Sequence, residues 1–218
     1  MSGIFLTFEG LDGSGKSTHL ERSVGWLESR SLPVLRTREP GGTPLGDSIR
    51  QIFLLDRRFT NMDSRVEALL VFASRRQHLV EVIEPALERG QHVLCDRFTD
   101  STLAFQGGGR GLGDGWVHEL DRLATGGRRP DRTFLFDLPG EAAMERGQRH
   151  HRKGGAGPDR IDAEGFAFYE KVRQAYLALA RAEPERFRVI DSSGSAAATW
   201  QAVEKHLGEL FAGPTAAP

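Results

Sequence analysis

A glycine-rich loop near the N-terminus constrains the fold of this chain more than any other segment. Residues 10–17 read GLDGSGKS, which fits the pattern G-x-x-x-x-G-K-S. The apolar run Ile4–Phe8 precedes the loop, and the stretch Ser17–Arg30 after it carries apolar residues at helical spacing. A strand, such a loop and a helix in this order form a cradle for phosphate. The glycines let backbone N–H groups curl around the oxygens, and the helix N-terminus adds its positive dipole.

The pattern assigns a role to two side chains of this loop. Lys16 is expected to bridge the β- and γ-phosphates of a nucleoside triphosphate, and the Ser17 hydroxyl to ligate Mg²⁺. A chance glycine turn capped by Ser17 would not explain why strand and helix are both in register with the loop. The residues predicted to bind ATP are Gly10, Leu11, Asp12, Gly13, Ser14, Gly15, Lys16, Ser17 and Thr18.

The rest of the chain alternates short apolar strands with helices. Further strands are predicted at Pro33–Thr37, Gln91–Cys95, Thr133–Phe136 and Phe187–Ile190. Helices are predicted at Leu45–Leu55, Ser64–Arg89 (with a kink or break at Pro85), Trp116–Ala124, Glu141–Arg149 and Phe166–Arg181. This alternation predicts an α/β fold, with a parallel sheet covered by helices on both faces and ligands beyond the carboxyl ends of the strands. The glycine-rich segments 107–115 and 147–158 are expected to be mobile.

Length and composition exclude several classes of protein. The 218 residues fit one domain, predicted over 1–212, with a frayed tail at 213–218. The 29 basic and 30 acidic residues argue against a protein that holds duplex nucleic acid by bulk charge. The longest apolar run has six residues, too few for a membrane span. A lone cysteine, Cys95, and an N-terminus without a basic, cleavable leader favour a cytoplasmic location.

The loop pattern alone leaves several nucleotide-binding classes open. A switch GTPase would carry an N-K-x-D element, but the one asparagine, Asn61, is followed by Met62. Large mechanochemical ATPases need partner-binding domains, for which the chain leaves little room. Arginine-rich loops suit phosphoryl transfer between two nucleotides, because fixed cations offset the repulsion between their phosphates. A nucleotide-binding protein without catalysis is the alternative.

Five segments in order carry a more specific likeness: 9–18 (EGLDGSGKST), 37–45 (TREPGGTPL), 72–78 (FASRRQH), 96–111 (DRFTDSTLAFQGGGRG) and 159–180 (DRIDAEGFAFYEKVRQAYLALA). Together they resemble the thymidylate kinases. The resemblance implies a five-stranded parallel sheet of the nucleoside-monophosphate-kinase type. It also implies transfer of a phosphoryl group from ATP to dTMP, a need for Mg²⁺, and a homodimer. A kinase for another pyrimidine monophosphate is the neighbouring alternative.

The resemblance places acceptor-side roles on the first half of the chain. It implies that Asp12 bonds the 3′-hydroxyl of the sugar, with a loop-stabilising turn as the alternative. It implies that Glu39 orders the acceptor side and that Pro40 borders the thymine, whereas an ion pair of Glu39 with Arg38 is equally open. Arg50 would reach the monophosphate, unless it lies on a solvated helix face. With glycine at position 13, the chain resembles the bacterial type of thymidylate kinase, which supplies its catalytic arginine from a lid.

One register question concerns the helix that carries FASRRQH. By resemblance, Phe72 stacks on the thymine, and its alternative role is that of a core aromatic. Related sequences place the base-binding arginine four residues after the phenylalanine, and here Arg75 follows by three and Arg76 by four. Both spacings fit one helix face, so either arginine can contact the base. Counting back from the EVIEPAL segment favours Arg75.

The segment 96–111 supplies the other acceptor residues. Asp96, at the end of a strand, is expected to hold Mg²⁺ through water or to orient Ser17, and the resemblance implies that Arg97 clamps the acceptor phosphate. A buried Asp–Arg pair is the alternative. By resemblance, Ser101 and Gln106 read polar edges of thymine. Phe105 stands where the family often has tyrosine, and its ring would reject a ribose 2′-hydroxyl.

A lid is expected at about residues 146–160, which carry Arg146, Arg149, Arg152, Lys153 and Arg160. Positive charge on a glycine-hinged segment can neutralise the transferring phosphoryl group and exclude water, although a disordered basic loop would look the same. The catalytic set predicted for the chain is Lys16, Arg97, Arg149, Arg152 and Arg160, with Arg149 or Arg152 as the transition-state arginine.

Two further segments also receive assignments. Tyr169 lies near the acceptor or packs in the core, and residues 191–197 are expected to form a loop around adenine. The seven histidines show no zinc-like spacing.

Overall fold

A computed structural model describes residues 3–152 and 159–212 of the chain, without the side chains of residues 114 and 150–152. Within these ranges one sheet contains five parallel strands, β1 (Phe5–Gly10), β2 (Val34–Arg38), β3 (His92–Asp96), β4 (Arg132–Asp137) and β5 (Phe187–Asp191). Their order is β2-β3-β1-β4-β5. The chain therefore builds outward from β1 in two directions, which opens a crevice beyond the carboxyl end of β1.

Helices cover both faces of the sheet. The described ones are α1 (Lys16–Glu28), α2 (Pro44–Arg50), α3 (Ser64–His78), α4 (Glu84–Glu88), α5 (Thr99–Thr102), α6 (Asp114–Thr125), α7 (Gly140–Arg152), α8 (Phe166–Ala182) and α9 (Ala196–Phe211). Wider, π-helical turns extend α2 over Gln51–Leu55, join α3 to α4 over Leu79–Ile83 and extend α5 over Leu103–Gly109. A short 3₁₀ turn spans Arg57–Phe59. No described helix is long and apolar enough to cross a membrane.

Alternation along β1 divides the core between the two faces. Leu6 and Phe8 pack with Leu20 of α1 and Val203 of α9. Phe5 points to the other face, where it joins a cluster with Ile83 of the turn between α3 and α4. Every residue of β1 is buried, as expected for the central strand of a parallel sheet. The predicted α/β fold is confirmed.

Three details differ from the sequence analysis. The helix predicted to kink or break at Pro85 stays helical, because the wide turn before α4 places Pro85 in a first helical turn, where no backbone donor is needed. Residues 107–109 are helical and packed against α8 rather than in an open loop. Helix α9 was not predicted, although its buried residues Thr199, Val203 and Leu207 recur every four positions.

Candidate active site

The glycine-rich loop joins β1 to α1 and contacts both neighbouring elements. Lys16 donates a hydrogen bond from Nζ to Asp12 Oδ1 at 2.8 Å, and Ser17 donates from Oγ to Asp96 Oδ2 at 2.6 Å. Gly13 has a φ of 82°, and a Cβ there would lie 2.5 Å from the carbonyl oxygen of Ala143. The loop therefore lies directly against α7, and this position excludes a side chain.

A cleft on one side of the loop has the composition of a triphosphate site. Its lining comprises Asp12, Gly13, Gly15, Lys16, Ser17, Thr18, Arg146, Gly147, Asp159 and Asp162. Arg146 of α7 donates to the carbonyl oxygens of Ser192 and Ser193 at 2.8 and 3.1 Å. This arginine therefore ties α7 to the loop after β5, which ends where α9 begins at Ala196.

A second cavity lies on the other side of Asp12. Its lining comprises Asp12, Glu39, Pro40, Arg50, Phe53, Leu54, Val71, Arg75, Arg97, Phe98, Ser101, Thr102, Phe105, Gln106, Asp159 and Ile161. Nine of the predicted acceptor residues are therefore together: Asp12, Glu39, Pro40, Arg50, Arg75, Arg97, Ser101, Phe105 and Gln106. Asp12 and Asp159 line both spaces, so the two sites meet at the loop.

Arg97 marks the cationic end of this cavity. Its Nη2 donates to Asp12 at 2.9 Å, and its Nη1 donates to the Gly10 carbonyl and the Ser101 hydroxyl, both at 3.0 Å. Burial alone would raise the pKa of Asp12, but the charges of Arg97 and Lys16 hold that pKa well below its usual range. Arg97 has a φ of 71°, in a region that residues with a Cβ seldom adopt.

Arg50 adds a second positive charge at the same end. Its Nη1 donates to the Pro40 carbonyl at 3.2 Å, and no carboxylate in the described ranges forms an ion pair with it. Burial, followed by repulsion from Arg38 and Arg97, lowers the pKa of Arg50. Asp159 and Asp96 attract this guanidinium from a distance, but with no described carboxylate in ion-pair contact it is suited to an anionic ligand.

Arg75 occupies the opposite, inner end. Its Nε donates to Glu39 Oε2 at 2.7 Å and its Nη2 to Thr102 Oγ1 at 3.0 Å, whereas Nη1 is buried without a hydrogen-bond partner in the described chain. His78 also contacts Glu39, at 3.0 Å. The alternative pair of Glu39 with Arg38 is wrong, since Arg38 instead contacts Asp47 on α2 at 3.3 Å.

Two predictions for α3 are wrong for one geometric reason. Phe72 packs with Leu103 and Val117 in the core, and Val71 lines the cavity in its place. Arg76 is exposed and donates to the Ala124 carbonyl of α6 at 3.4 Å, so Arg75 is the arginine at the cavity. Positions 71 and 75 are four apart and lie on the inner face of α3. Phe72 and Arg76, which follow them, are each rotated by about 100° around the helix axis, away from the cavity.

The predicted lid arginines have different environments. Arg149 is exposed on α7, and the side chain of Arg152, with residues 153–158, lies outside the described residues. Arg160 is absent from the lining of the triphosphate cleft in the described conformation, and its supporting role stays a prediction. Its Nη2 lies 2.8 Å from Glu67 Oε2, and its Nε donates to the Phe53 carbonyl at 3.1 Å. Arg160 thus links its own segment to α3 and to the turn that extends α2.

Several residues of the site were missed from the sequence. Glu9 accepts hydrogen bonds from the Phe98 amide at 2.7 Å, from Ser101 Oγ at 2.5 Å and from Tyr176 OH at 2.9 Å. Tyr176 also accepts a bond from Arg97 Nη1 at 3.2 Å. An acidic residue in an otherwise apolar strand was the available signal for Glu9. Tyr169 is buried in the core and absent from the cavity lining, which favours its packing role.

The donor atoms near Lys16 fit a hard divalent cation. Ser17 and Asp96 offer a hydroxyl and a carboxylate oxygen, the ligand types that Mg²⁺ prefers. In the described ranges no group of three or more His, Cys, Asp or Glu residues has a metal-binding arrangement. Mg²⁺ in nucleotide sites is usually held by one or two side chains together with phosphate oxygens and water.

The fold and the two adjoining sites define a P-loop kinase of the nucleoside-monophosphate type. The sequence profile of the thymidylate kinase family matches residues 8–203. A thymidylate kinase from Cupriavidus pinatubonensis is 50% identical over 212 residues, which cover 96% of this chain and all of that protein. One from Pseudomonas syringae pv. tomato is 47% identical, covering 97% of this chain and 98% of that protein. The chain belongs to the thymidylate kinase family.

Proposed function

We propose that this chain transfers the γ-phosphoryl group of ATP to dTMP, giving ADP and dTDP. The observation that carries the proposal is the junction of the two sites at Asp12, the carboxylate to which Arg97 donates from the acceptor side. One site has the phosphate-binding loop, and the other has a cationic end beside that loop and an inner end with unused polar groups. This arrangement lets an acceptor phosphate approach the triphosphate in line.

The acceptor's orientation follows from charge. Its phosphate belongs at the end with Arg97 and Arg50, because two cations there neutralise it. Its base then reaches Arg75 Nη1, which is buried with no partner in the described chain and can donate to a ring carbonyl. Ser101 and Gln106 lie along the polar side. Phe105, with its ring 4.9 Å from Arg97 Cζ, forms the wall beside the sugar and would crowd a 2′-hydroxyl.

Phosphoryl transfer in this site is a matter of position and charge. The acceptor phosphate oxygen is already nucleophilic, so no side chain has to remove a proton. Lys16 leaves Asp12 for the β- and γ-phosphates, and Arg97 keeps the acceptor oxygen close to the γ-phosphorus. Mg²⁺, held through Ser17 and Asp96, would neutralise charge on the phosphate oxygens. Arg149 or Arg152 of the lid supplies the remaining positive charge.

Three further expectations, on location, nucleic-acid binding and oligomeric state, belong to the same proposal. We place the protein in the cytoplasm, supported by its single cysteine, Cys95, which has no second cysteine in the sequence with which to form a disulfide. We assign it no nucleic-acid partner, supported by its near-zero net charge. We propose a homodimer, supported by exposed apolar side chains on α3, in the turn that joins α3 to α4, and on α6.

A coupled ADP-release assay across dTMP, dUMP, UMP and CMP tests the proposed acceptor. The highest kcat/KM is expected with dTMP, and equal turnover of a ribonucleotide would refute the assignment. Lys16→Ala is expected to lower kcat by about 100-fold or more, because a fixed transition-state cation is lost. Lys205→Ala is the matched control, since Lys205 is exposed on α9.

The lid assignment needs its own variants. Arg149→Ala and Arg152→Ala are compared with Arg181→Ala, an exposed arginine on α8. For the transition-state arginine, kcat falls more than the KM for dTMP rises, because the interaction forms as charge develops. A rise in KM without loss of kcat in both lid variants would show that they only bind.

A further inference from the structure

One face of α3 presents three buried residues toward the acceptor cavity. Glu67, Val71 and Arg75 follow one another at intervals of four and are 0%, 6% and 1% exposed. Val71 and Arg75 line the cavity, and Glu67 lies behind Gln106, which also lines it. The face therefore contributes both a wall and the groups that organise its polar atoms.

Glu67 accepts a hydrogen bond from Gln106 Nε2 at 2.6 Å. An ionised carboxylate has no hydrogen to give, so the atom of the Gln106 amide that faces it must be the NH₂ group. Two cations contact the same carboxylate. Arg110 Nε is 3.3 Å from Oε1, and Arg160 Nη2 is 2.8 Å from Oε2. These ion pairs offset the cost of burying the carboxylate charge.

The Gln106 amide is thereby oriented in one direction. With its NH₂ group on Glu67, its Oε1 remains, and no described residue donates a hydrogen bond to that atom. Arg75 Nη1 is the complementary group, a buried donor without a partner in the described chain. Both residues line the acceptor cavity, which therefore offers one donor and one acceptor to a ligand.

This pair discriminates between pyrimidines. Thymine and uracil present a ring carbonyl beside a ring N–H, which matches a donor and an acceptor in that order. Cytosine presents an amino group beside a ring nitrogen without hydrogen. Its amino group would face the donor Arg75, and its bare nitrogen would face the acceptor oxygen of Gln106. A site that leaves buried polar groups unpaired rejects the mismatched ligand strongly.

We propose that Glu67 is a positioning residue that sets the polarity of the Gln106 amide and thereby makes the acceptor site reject cytosine-type bases. The inference rests on the proposed function, because it takes the acceptor to be a pyrimidine monophosphate bound with its base at this end. Glu67 itself does not touch the acceptor; it acts through Gln106.

The experiment measures kcat/KM for dTMP, dUMP and dCMP in wild-type protein and in Glu67→Gln. A glutamine at position 67 can turn either its oxygen or its NH₂ group toward Gln106, so the Gln106 amide is free to flip. The dTMP-to-dCMP ratio is expected to fall by about tenfold or more. The dTMP-to-dUMP ratio is expected to stay within about twofold, because both bases present the same two polar groups.

Two variants separate polarity from general damage. Glu81→Gln is the matched control, because Glu81 also accepts from a glutamine side chain, Gln77, but on the surface. Both ratios should be unchanged in that variant. The reciprocal exchange, Glu67→Gln with Gln106→Glu, again places an NH₂ donor on one side and an acceptor facing the base. It should recover most of the lost discrimination against dCMP.

The outcomes distinguish a failure of the proposed function from a failure of the role of Glu67. A wild-type protein that does not prefer dTMP refutes the proposed function. A wild-type preference that survives unchanged in folded Glu67→Gln, or a fall in both ratios together, refutes only the role of Glu67. If Glu67→Gln does not fold, Glu67→Asp is used, since it retains the charge for both arginines but withdraws the carboxylate from Gln106. An unchanged dTMP-to-dCMP ratio in folded Glu67→Asp then overturns the inference.

Discussion

Arg75 and Arg76 are adjacent in sequence but differ in every physical respect. Arg75 is fully buried, with two donors fixed by Glu39 and Thr102 and a third that is free for a ligand. Arg76 is exposed and makes a single long contact to a backbone carbonyl. Because a planar guanidinium supplies this fork of donors and an ammonium group does not, the two positions should respond differently to lysine.

We therefore expect Arg75→Lys to raise the KM for dTMP by about tenfold or more. The variant should also be less stable, because the buried Glu39 loses part of its pairing. Arg76→Lys should leave the KM within about twofold of wild type. Steady-state kinetics with varied dTMP at saturating ATP measure both. A larger effect at position 76 would show that the base does not lie at the inner end of the cavity.

Glu9 is a fully buried carboxyl group whose pKa the fold moves into the neutral range. Burial, followed by repulsion from Asp100, raises its pKa from 4.5 to about 7, against the stabilising bonds from Ser101 and Tyr176 and the charge of Arg97. Between these two pH values the folded protein holds a proton that the unfolded chain has released. The contribution of Glu9 to stability is therefore present below about pH 4.5 and falls as the pH rises toward 7.

Glu9→Gln removes this titration. Wild-type stability minus variant stability should decrease between pH 5 and pH 7, with a limiting slope of about 1.4 kcal/mol per pH unit for one proton. Urea unfolding at pH 5, 6 and 7 gives the free energies. A difference that stays constant or increases with pH would show that Glu9 titrates near its ordinary pKa.

At the scale of an element, helix α3 shows what a sequence pattern can and cannot specify. The periodicity predicted the helix, and counting from EVIEPAL predicted Arg75. The periodicity did not show that Phe72 lies in the core. Phe72 and Val71 are both apolar, and a shift of one position decides which of them faces the cavity. Glu67 and Tyr176 were missed because packing across distant segments brings them to the site, whereas the loop at 10–17 carries its geometry locally.

The turn at Leu103–Gly109 depends on close approach to α8. A Cβ on Gly108 would lie 2.6 Å from the Cβ of Ala175, and neither atom can rotate away. Gly208, inside α9, has no atom within 4 Å of its Cβ position. The sequence run GGG suggested mobility, but Gly108 is needed here for contact between helices.

Gly108→Ala should lower the free energy of unfolding by about 1–3 kcal/mol through overpacking. Gly208→Ala should raise it by about 0.5–1 kcal/mol, because alanine is the better helix former and meets no neighbour. Chemical denaturation of both variants measures the difference. Equal effects at the two positions would contradict the tight contact between the turn and α8.

At the scale of the whole molecule, the sheet order brings both sites to one edge. The loop after β1 and the Asp96-Arg97 pair after β3 adjoin because β1 and β3 are neighbours. Alternating strands and helices predicted this edge as the ligand site, and the family likeness implied which residues meet there. The likeness also divided them between a phosphate end and a base end, but the choice of Val71 over Phe72 and of Arg75 over Arg76 at the cavity follows only from the folded geometry.

The outer face of α3 bears on assembly. Val66 and Leu69 on α3, Val80 in the following turn and Leu123 on α6 are each 45% to 66% exposed, and the spacing of the first three places them on one side of the helix. An apolar stripe of this kind is costly in water and suited to the core of an interface between two copies. The same helix carries Glu67, Val71 and Arg75 on its inner face, so a partner there would brace the acceptor cavity.

Leu69→Glu places a charge in the centre of the stripe and is expected to shift the protein from dimer to monomer, because an unpaired charge is too costly to bury in an interface core. Val189→Glu is the matched control, since Val189 is 48% exposed on the edge strand β5, away from the stripe. Size-exclusion chromatography with light scattering measures the mass of each variant. If bracing by the partner matters, monomeric Leu69→Glu also shows a raised KM for dTMP at unchanged KM for ATP, because α3 lines only the acceptor cavity. A dimer that persists in Leu69→Glu but dissociates in Val189→Glu would place the interface on β5 instead.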